Sequence, residues 1–169
     1  KNTWFDFEFF KELIDYSVKK GTKAIKLNYI NEPLIRNDFI KFIDYAKEKG
    51  ILDIYFSTNG ILLKDEISKK LINSGLTRIQ ISIDAVTQET YDKVRPGGNL
   101  KKIIENINNF LKIKNELNKT TPLVRVNFVK TEFNEFELEK FIKIWEDKVD
   151  MIGIQEFVKP TKVEIIALV

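Results

Sequence analysis

The chain has 169 residues, 43% of them apolar, and carries 28 basic and 25 acidic residues for a net charge of +3. That suits one domain or a large piece of one, with enough apolar material for a core and too much for a disordered chain. It has no cysteine and no histidine, which excludes disulfides, zinc sites of the usual type and Ser-His-Asp or Cys-His catalysis, and leaves Asp, Glu, Lys and Tyr as acids and bases.

The positive charge is nearly all lysine; the four arginines are Arg36, Arg78, Arg95 and Arg125. Both signs are interspersed, so the basic stripe that nucleic-acid binding asks for is missing. No apolar run is long enough to span a membrane, and no signal peptide opens the chain. A cytoplasmic setting is the expectation. The first residue is Lys1 rather than methionine, which suggests a segment of something longer.

Two periodicities alternate from the first residues onward. "FFKELIDYSVKKG" sets Phe10, Leu13, Ile14 and Val18 on one helical face and stops at Gly21; "KAIKLNYI" follows as a strand. "IRNDFIKFIDYAKEKG" repeats the pattern with Ile35, Phe39, Phe42, Ile43 and Ala46 inward, up to Gly50, before the strand "LDIYFSTNG". The helix "KDEISKKLINSG" turns Ile67 and Leu71 inward and ends at Gly75, ahead of the strand "TRIQISIDA". A short helix capped by Thr87 and a long one carrying Leu100, Ile103, Ile104, Ile107 and Leu111 lead to the strand "PLVRVNFVK". "NEFELEKFIKIWEDK" opens on what reads as a capping box, Asn134 to Glu137, and buries Leu138, Phe141, Ile142 and Trp145; "VDMIGIQEFV" is the last strand.

Helix-terminating glycines followed directly by strands, with one strand every ~25–30 residues, describe βα repetition and a parallel sheet under helices. A closed barrel, a partial barrel and an open doubly wound sheet all satisfy the pattern. In each, the loops at the C-terminal strand ends carry the chemistry. Those ends read Asn28 to Pro33, Ser57-Thr58-Asn59-Gly60, Ser82-Ile83-Asp84, Asn127 and Gln155-Glu156. Each piece has an ordinary reading: a helix-entry turn, a surface acid, a turn cap, a polar residue on a strand face. Together they put polar side chains on one rim of the sheet.

In this order, "LNYINEPLI", "YFSTNGILL", "IQISIDAVTQETYDKVRPGG" and "VRVNFVKTEFNEFELEKF" resemble the core of radical S-adenosylmethionine (SAM) enzymes, of the subgroup with a C-terminal SPASM-type extension. The likeness runs from about Thr3 to Lys162. It implies an α/β fold, a parallel-stranded partial TIM-like (β/α) barrel of about five βα units over 1–162, with 163–169 a tail of unknown role. The resemblance implies SAM and a 4Fe–4S cluster as cofactors and an oxidoreductase-type reaction through a 5′-deoxyadenosyl radical. It further implies a small-molecule or peptide substrate and an electron donor such as a flavodoxin or ferredoxin.

Carried over by position, the segment that meets the SAM amino group falls on Asn31-Glu32-Pro33, with Asn31 where the family has glycine. Thr58, Asn59 and Gly60 close the next strand. The serine and aspartate that end the third strand fall on Ser82 and Asp84, with Ser82 placed to meet the SAM carboxylate or ribose, and Arg95 is the carboxylate's partner, an arginine fork fitting it bidentately. Asn127 and Gln155 lie near the adenine. The family's C-x3-C-x2-C cluster loop has no counterpart here, so the chain by itself is expected to be inactive and to bind SAM weakly. An unpaired edge at the strand carrying Leu27 suggests an edge-strand dimer. Two further readings stand beside this one. One is a cluster-free degenerate barrel acting as a binding module, and the other is an unrelated barrel using Lys130 as a Schiff-base amine.

Overall fold

A computed structural model describes residues 4–29 and 31–158. Helix α1 (Phe7–Lys19), whose N-cap Asp6 accepts from the Phe9 N–H at 2.8 Å, leads into β1 (Ala24–Lys26). A 3-10 turn (Pro33–Ile35), α2 (Phe39–Glu48), β2 (Asp53–Thr58), α3 (Asp65–Asn73) and β3 (Arg78–Ser82) follow. Then come α4 (Gln88–Val94), α5 (Leu100–Glu116), β4 (Leu123–Lys130), α6 (Leu138–Trp145) and β5 (Met151–Glu156). The tail 163–169 lies outside the described residues. No helix among those described is long and apolar enough to cross a membrane.

The five strands form one parallel sheet in chain order, β1-β2-β3-β4-β5. That order settles the choice of scaffold. Right-handed crossovers that always step the same way put every connecting helix on the same face, whereas a doubly wound sheet needs a reversal of direction. The sheet is therefore singly wound, as in a portion of a TIM-like barrel.

Burial follows from this. Ile54, Phe56, Ile79, Ile81, Val124, Val126 and Phe128 meet the helices and are fully buried. Their alternates Tyr55, Ser57, Arg78, Gln80, Ser82 and Arg125 are half-buried on the other face. Parallel strands covered on both faces lack such alternation; here the second, concave face has no layer over it among the described residues.

Three local expectations change. Leu13 is 44% exposed, because α1 reaches past the sheet and turns Leu13 toward the free edge of β1. Ile35 belongs to the 3-10 turn, not to α2, and is 59% exposed. Asn134 and Glu137 form no capping box: neither side chain caps α6, since the Asn134 oxygen accepts from Thr131 while its Nδ2 and the Glu137 carboxylate are spent on the loop after β3. The glycines also divide. Gly21 and Gly50 take positive φ (88° and 89°) as left-handed helix stops. Gly75 has a different cause: a β-carbon there would overlap the Lys47 side chain.

Candidate functional site

At the end of β1 the chain leaves the ladder, and Asn28 takes over its hydrogen bonding. Its Oδ1 accepts from the Ser57 N–H at 2.9 Å, while its Nδ2 donates to the carbonyls of Ser57 and Asn31, each at 2.9 Å. This fixes the turn that presents Glu32. The Glu32 carboxylate then reaches across to β2. Oε1 accepts from the Thr58 hydroxyl at 2.8 Å and the Leu34 N–H at 3.1 Å, and Oε2 accepts from the Asn59 N–H at 2.7 Å.

Thr58 is 3% exposed, and its oxygen also accepts from the Gly60 N–H at 3.1 Å. Asn59 Oδ1 accepts from the Ile61 N–H at 2.9 Å. Gly60 has φ 77°, and a β-carbon there would press on Ile81 and Ile103 at 3.1 and 3.2 Å. Asn106 of α5 donates to the Gly60 and Ile61 carbonyls at 2.9 and 3.0 Å. Thr58-Asn59-Gly60 is thus a clamp on Glu32. A carboxylate offers about four lone-pair sites, so Glu32, half-buried beside Asn31 and the buried Pro33, retains capacity for one more donor.

The second cluster lies at the ends of β3 and β4. Asp84 is 4% exposed and holds φ 62°, a left-handed conformation costly for a residue with a side chain. Its neighbours hold it there. Oδ1 accepts from the Val129 N–H at 2.7 Å, Oδ2 from Arg95 Nε at 2.5 Å, and its carbonyl from Asn134 Nδ2 at 2.8 Å. Glu137, 4% exposed, accepts from the Val86 N–H and the Thr87 hydroxyl at 2.5 and 2.6 Å, and from the Thr90 hydroxyl at 3.0 Å. Burial pushes its pKa up, but the hydroxyl and amide donors outweigh it and hold the carboxyl below its ordinary range. The loop after β4 therefore splints the loop after β3.

The remaining residues separate. Ser82 and Asn127 are register partners on the concave face, whereas Gln155 sits exposed on β5. Two open grooves flank the rim. One, about 770 Å³, includes Asn28, Asn31, Glu32, Pro33 and Arg36; the other, about 790 Å³, includes Asp84, Arg95, Val129, Lys130 and Glu156. Glu32 and Arg95, expected at opposite ends of one amino-acid moiety, thus open into different grooves. Sequence reasoning passed over Asn28, Asn106 and Glu137 as site residues. Only Asn28, at a strand end, gave a readable signal.

Lys130 donates to Glu156 at 2.7 Å, and this bond holds its pKa above the usual lysine value, opposite to what imine chemistry requires. An iron–sulfur cluster does not fit these residues either. The chain offers no cysteine, and the described residues hold no group of three or more potential acidic ligands. A SAM ammonium fits Glu32, whose carboxylate is oriented and not saturated.

The sequence model of the Radical SAM superfamily matches residues 2–141. A probable GTP 3′,8-cyclase of Methanocaldococcus jannaschii is 34% identical over 149 residues, 88% of this chain and 47% of that one. The GTP 3′,8-cyclase of Alkaliphilus oremlandii is 38% identical over 139 residues, 81% of this chain and 41% of that one. The chain thus spans about half the length, or less, of these relatives. Among solved structures, Streptococcus suis SuiB bound to S-adenosylmethionine superposes with TM-score 0.67 at 18% identity, over 96% of this chain and 36% of SuiB. SuiB bound to its precursor peptide SuiA gives TM-score 0.71 at 16% identity, over 94% of this chain and 34% of SuiB. At such identities the likeness speaks for the fold.

Proposed function

The chain belongs to the Radical SAM superfamily, and from that membership we propose that it is the SAM-binding part of a radical SAM enzyme acting on a polar small molecule. The observation that carries the reading is Glu32, aimed from the rim by Thr58 and Asn59 with room for an ammonium donor. Asn31, Pro33 and Gly60 shape the backbone around it, Ser82 serves the carboxylate or ribose, and Gln155 lies toward the adenine; Arg95, held by Asp84 in the other groove, stands apart from this grip. In this family SAM supplies a 5′-deoxyadenosyl radical that removes a hydrogen atom from the substrate. These 169 residues bind and orient, and with no cysteine among them they supply no thiolate to a cluster.

The relatives of 34–38% identity are named as cyclases, which supports a rearranging, ring-forming reaction over net oxidation. The peptide-bound neighbour, at 16% identity, supports a peptide substrate less strongly. A SPASM-type extension has no support beyond the resemblance of motifs.

Titrating SAM into the isotope-labelled chain tests the reading. Shifts are expected at the amides of Leu34, Asn59 and Gly60 and to vanish in Glu32→Gln. Shifts elsewhere, or none at millimolar SAM, overturn it. A second reading, a cluster-free binding module, is favoured by the missing cysteines. A C-x3-C-x2-C motif encoded upstream of Lys1 would remove it.

A further inference from the structure

The concave face carries a charge that the SAM rim does not use. In register across the sheet lie Ser57, Gln80, Arg125 and Met151, and one row nearer the rim Ser82, Asn127 and Gly153. Barrel interiors are normally filled with branched apolar side chains; these rows are polar. Of the four arginines, Arg36, Arg78 and Arg95 are each paired with an aspartate. Among the described residues Arg125 forms no ion pair, and its buried Nε has no acceptor. Asn127, 8% exposed, likewise buries an Oδ1 without a partner. A β-carbon at position 153 would overlap the Arg125 guanidinium and Asn127 Oδ1, so Gly153 is what lets both lie over β5. Gln80 uses its carbonyl to accept from Ser57 at 3.1 Å, which leaves its amide nitrogen as a donor.

A guanidinium stays charged at every relevant pH and presents a planar fork of donors. Half-buried without a counter-ion it is costly, and an oxyanion relieves that cost. We propose that Arg125, with the carboxamides of Gln80 and Asn127 and the gap at Gly153, is the subsite for an anionic group of the substrate, a carboxylate or a phosphate. This deepens the function proposed above by giving the substrate a charge and a position below the SAM rim.

The four arginines yield four Nε–Hε resonances, followed while inorganic phosphate or acetate is added at constant ionic strength set with chloride. Arg125 and the Gln80 and Asn127 side-chain amides should shift saturably, and the other three arginines should stay still. The anion that saturates at the lower concentration names the group. R125Q should abolish the response, R125K should weaken it about tenfold because the fork is lost, and G153A should displace both side chains while preserving charge. A response equal to that in chloride, or unchanged in R125Q and G153A, overturns the proposal. So does a stationary Arg125 resonance in the unmodified chain, whatever the variants do. SAM binding is read at other resonances, so either assignment can fail alone.

Discussion

At the residue scale, Thr58 is the hinge of the Glu32 clamp. Its hydroxyl donates to Glu32 and accepts from the Gly60 N–H while the residue is 3% exposed. Thr58→Val keeps the shape but removes one of Glu32's three donors and leaves the Gly60 N–H without its acceptor, so it should cost about 1–3 kcal/mol in urea unfolding, with Thr58→Ser recovering most of it. Gly60 makes a sharper contrast. Gly60→Ala meets both positive-φ strain and the crowding of Ile81 and Ile103, whereas Gly21→Ala meets the strain with nothing within 4 Å. The first should lose about 2–4 kcal/mol and the second about 1; equal losses would mean that the crowding is relieved. The role of Thr-Asn-Gly as a strand-ending turn is legible from residue types. Its grip on Glu32 is not, because the partners stand 26 residues apart and no periodicity connects them.

At the element scale, the βα order is legible because each element buries a stripe with its own period and glycines punctuate the helices. Leu13 and Ile35 misled for a physical reason: both carry the helical period at places where the sheet ends, so nothing lies opposite them. Asn134 and Glu137 misled differently, since their spacing suits a local cap while their side chains reach some 50 residues back. That reach predicts a pH effect. Glu137 is held below its unfolded pKa, so its contribution is present above the ordinary glutamate value and fades as pH falls through the lower folded value. Glu137→Gln should lower unfolding free energy at pH 7 by about 1–3 kcal/mol and by less near pH 3. An equal loss at both pH values would show that the charge contributes nothing. Because α4 is splinted through Thr87 and Thr90, the variant should also broaden the Arg95 Nε–Hε resonance, which a purely global loss of stability would leave sharp.

For the whole molecule, the strand order leaves two free edges among the described residues, and they differ. β5 is twice as long as β1 and ends in Gln155 and the charged Glu156, although Ile154, Phe157 and Val158 at that end are 46–81% exposed. β1 is three residues long, and beside it Trp4, Phe5, Leu13 and Ile35 stand 44–59% exposed around a groove of about 770 Å³. An unpaired strand next to apolar side chains templates association, with Lys26 its only charged guard. We therefore expect the chain on its own to self-associate through β1. Sedimentation should show a mass rising with concentration between micromolar and submillimolar, and hydrogen exchange at Ala24–Lys26 should slow over the same range while β5 is unaffected. Leu13→Lys should suppress both effects without changing unfolding free energy by more than about 0.5 kcal/mol, since the residue is already largely in water. A strictly monomeric profile, or protection appearing at β5 instead, would mean that Lys26 and the brevity of β1 suffice to keep that edge closed.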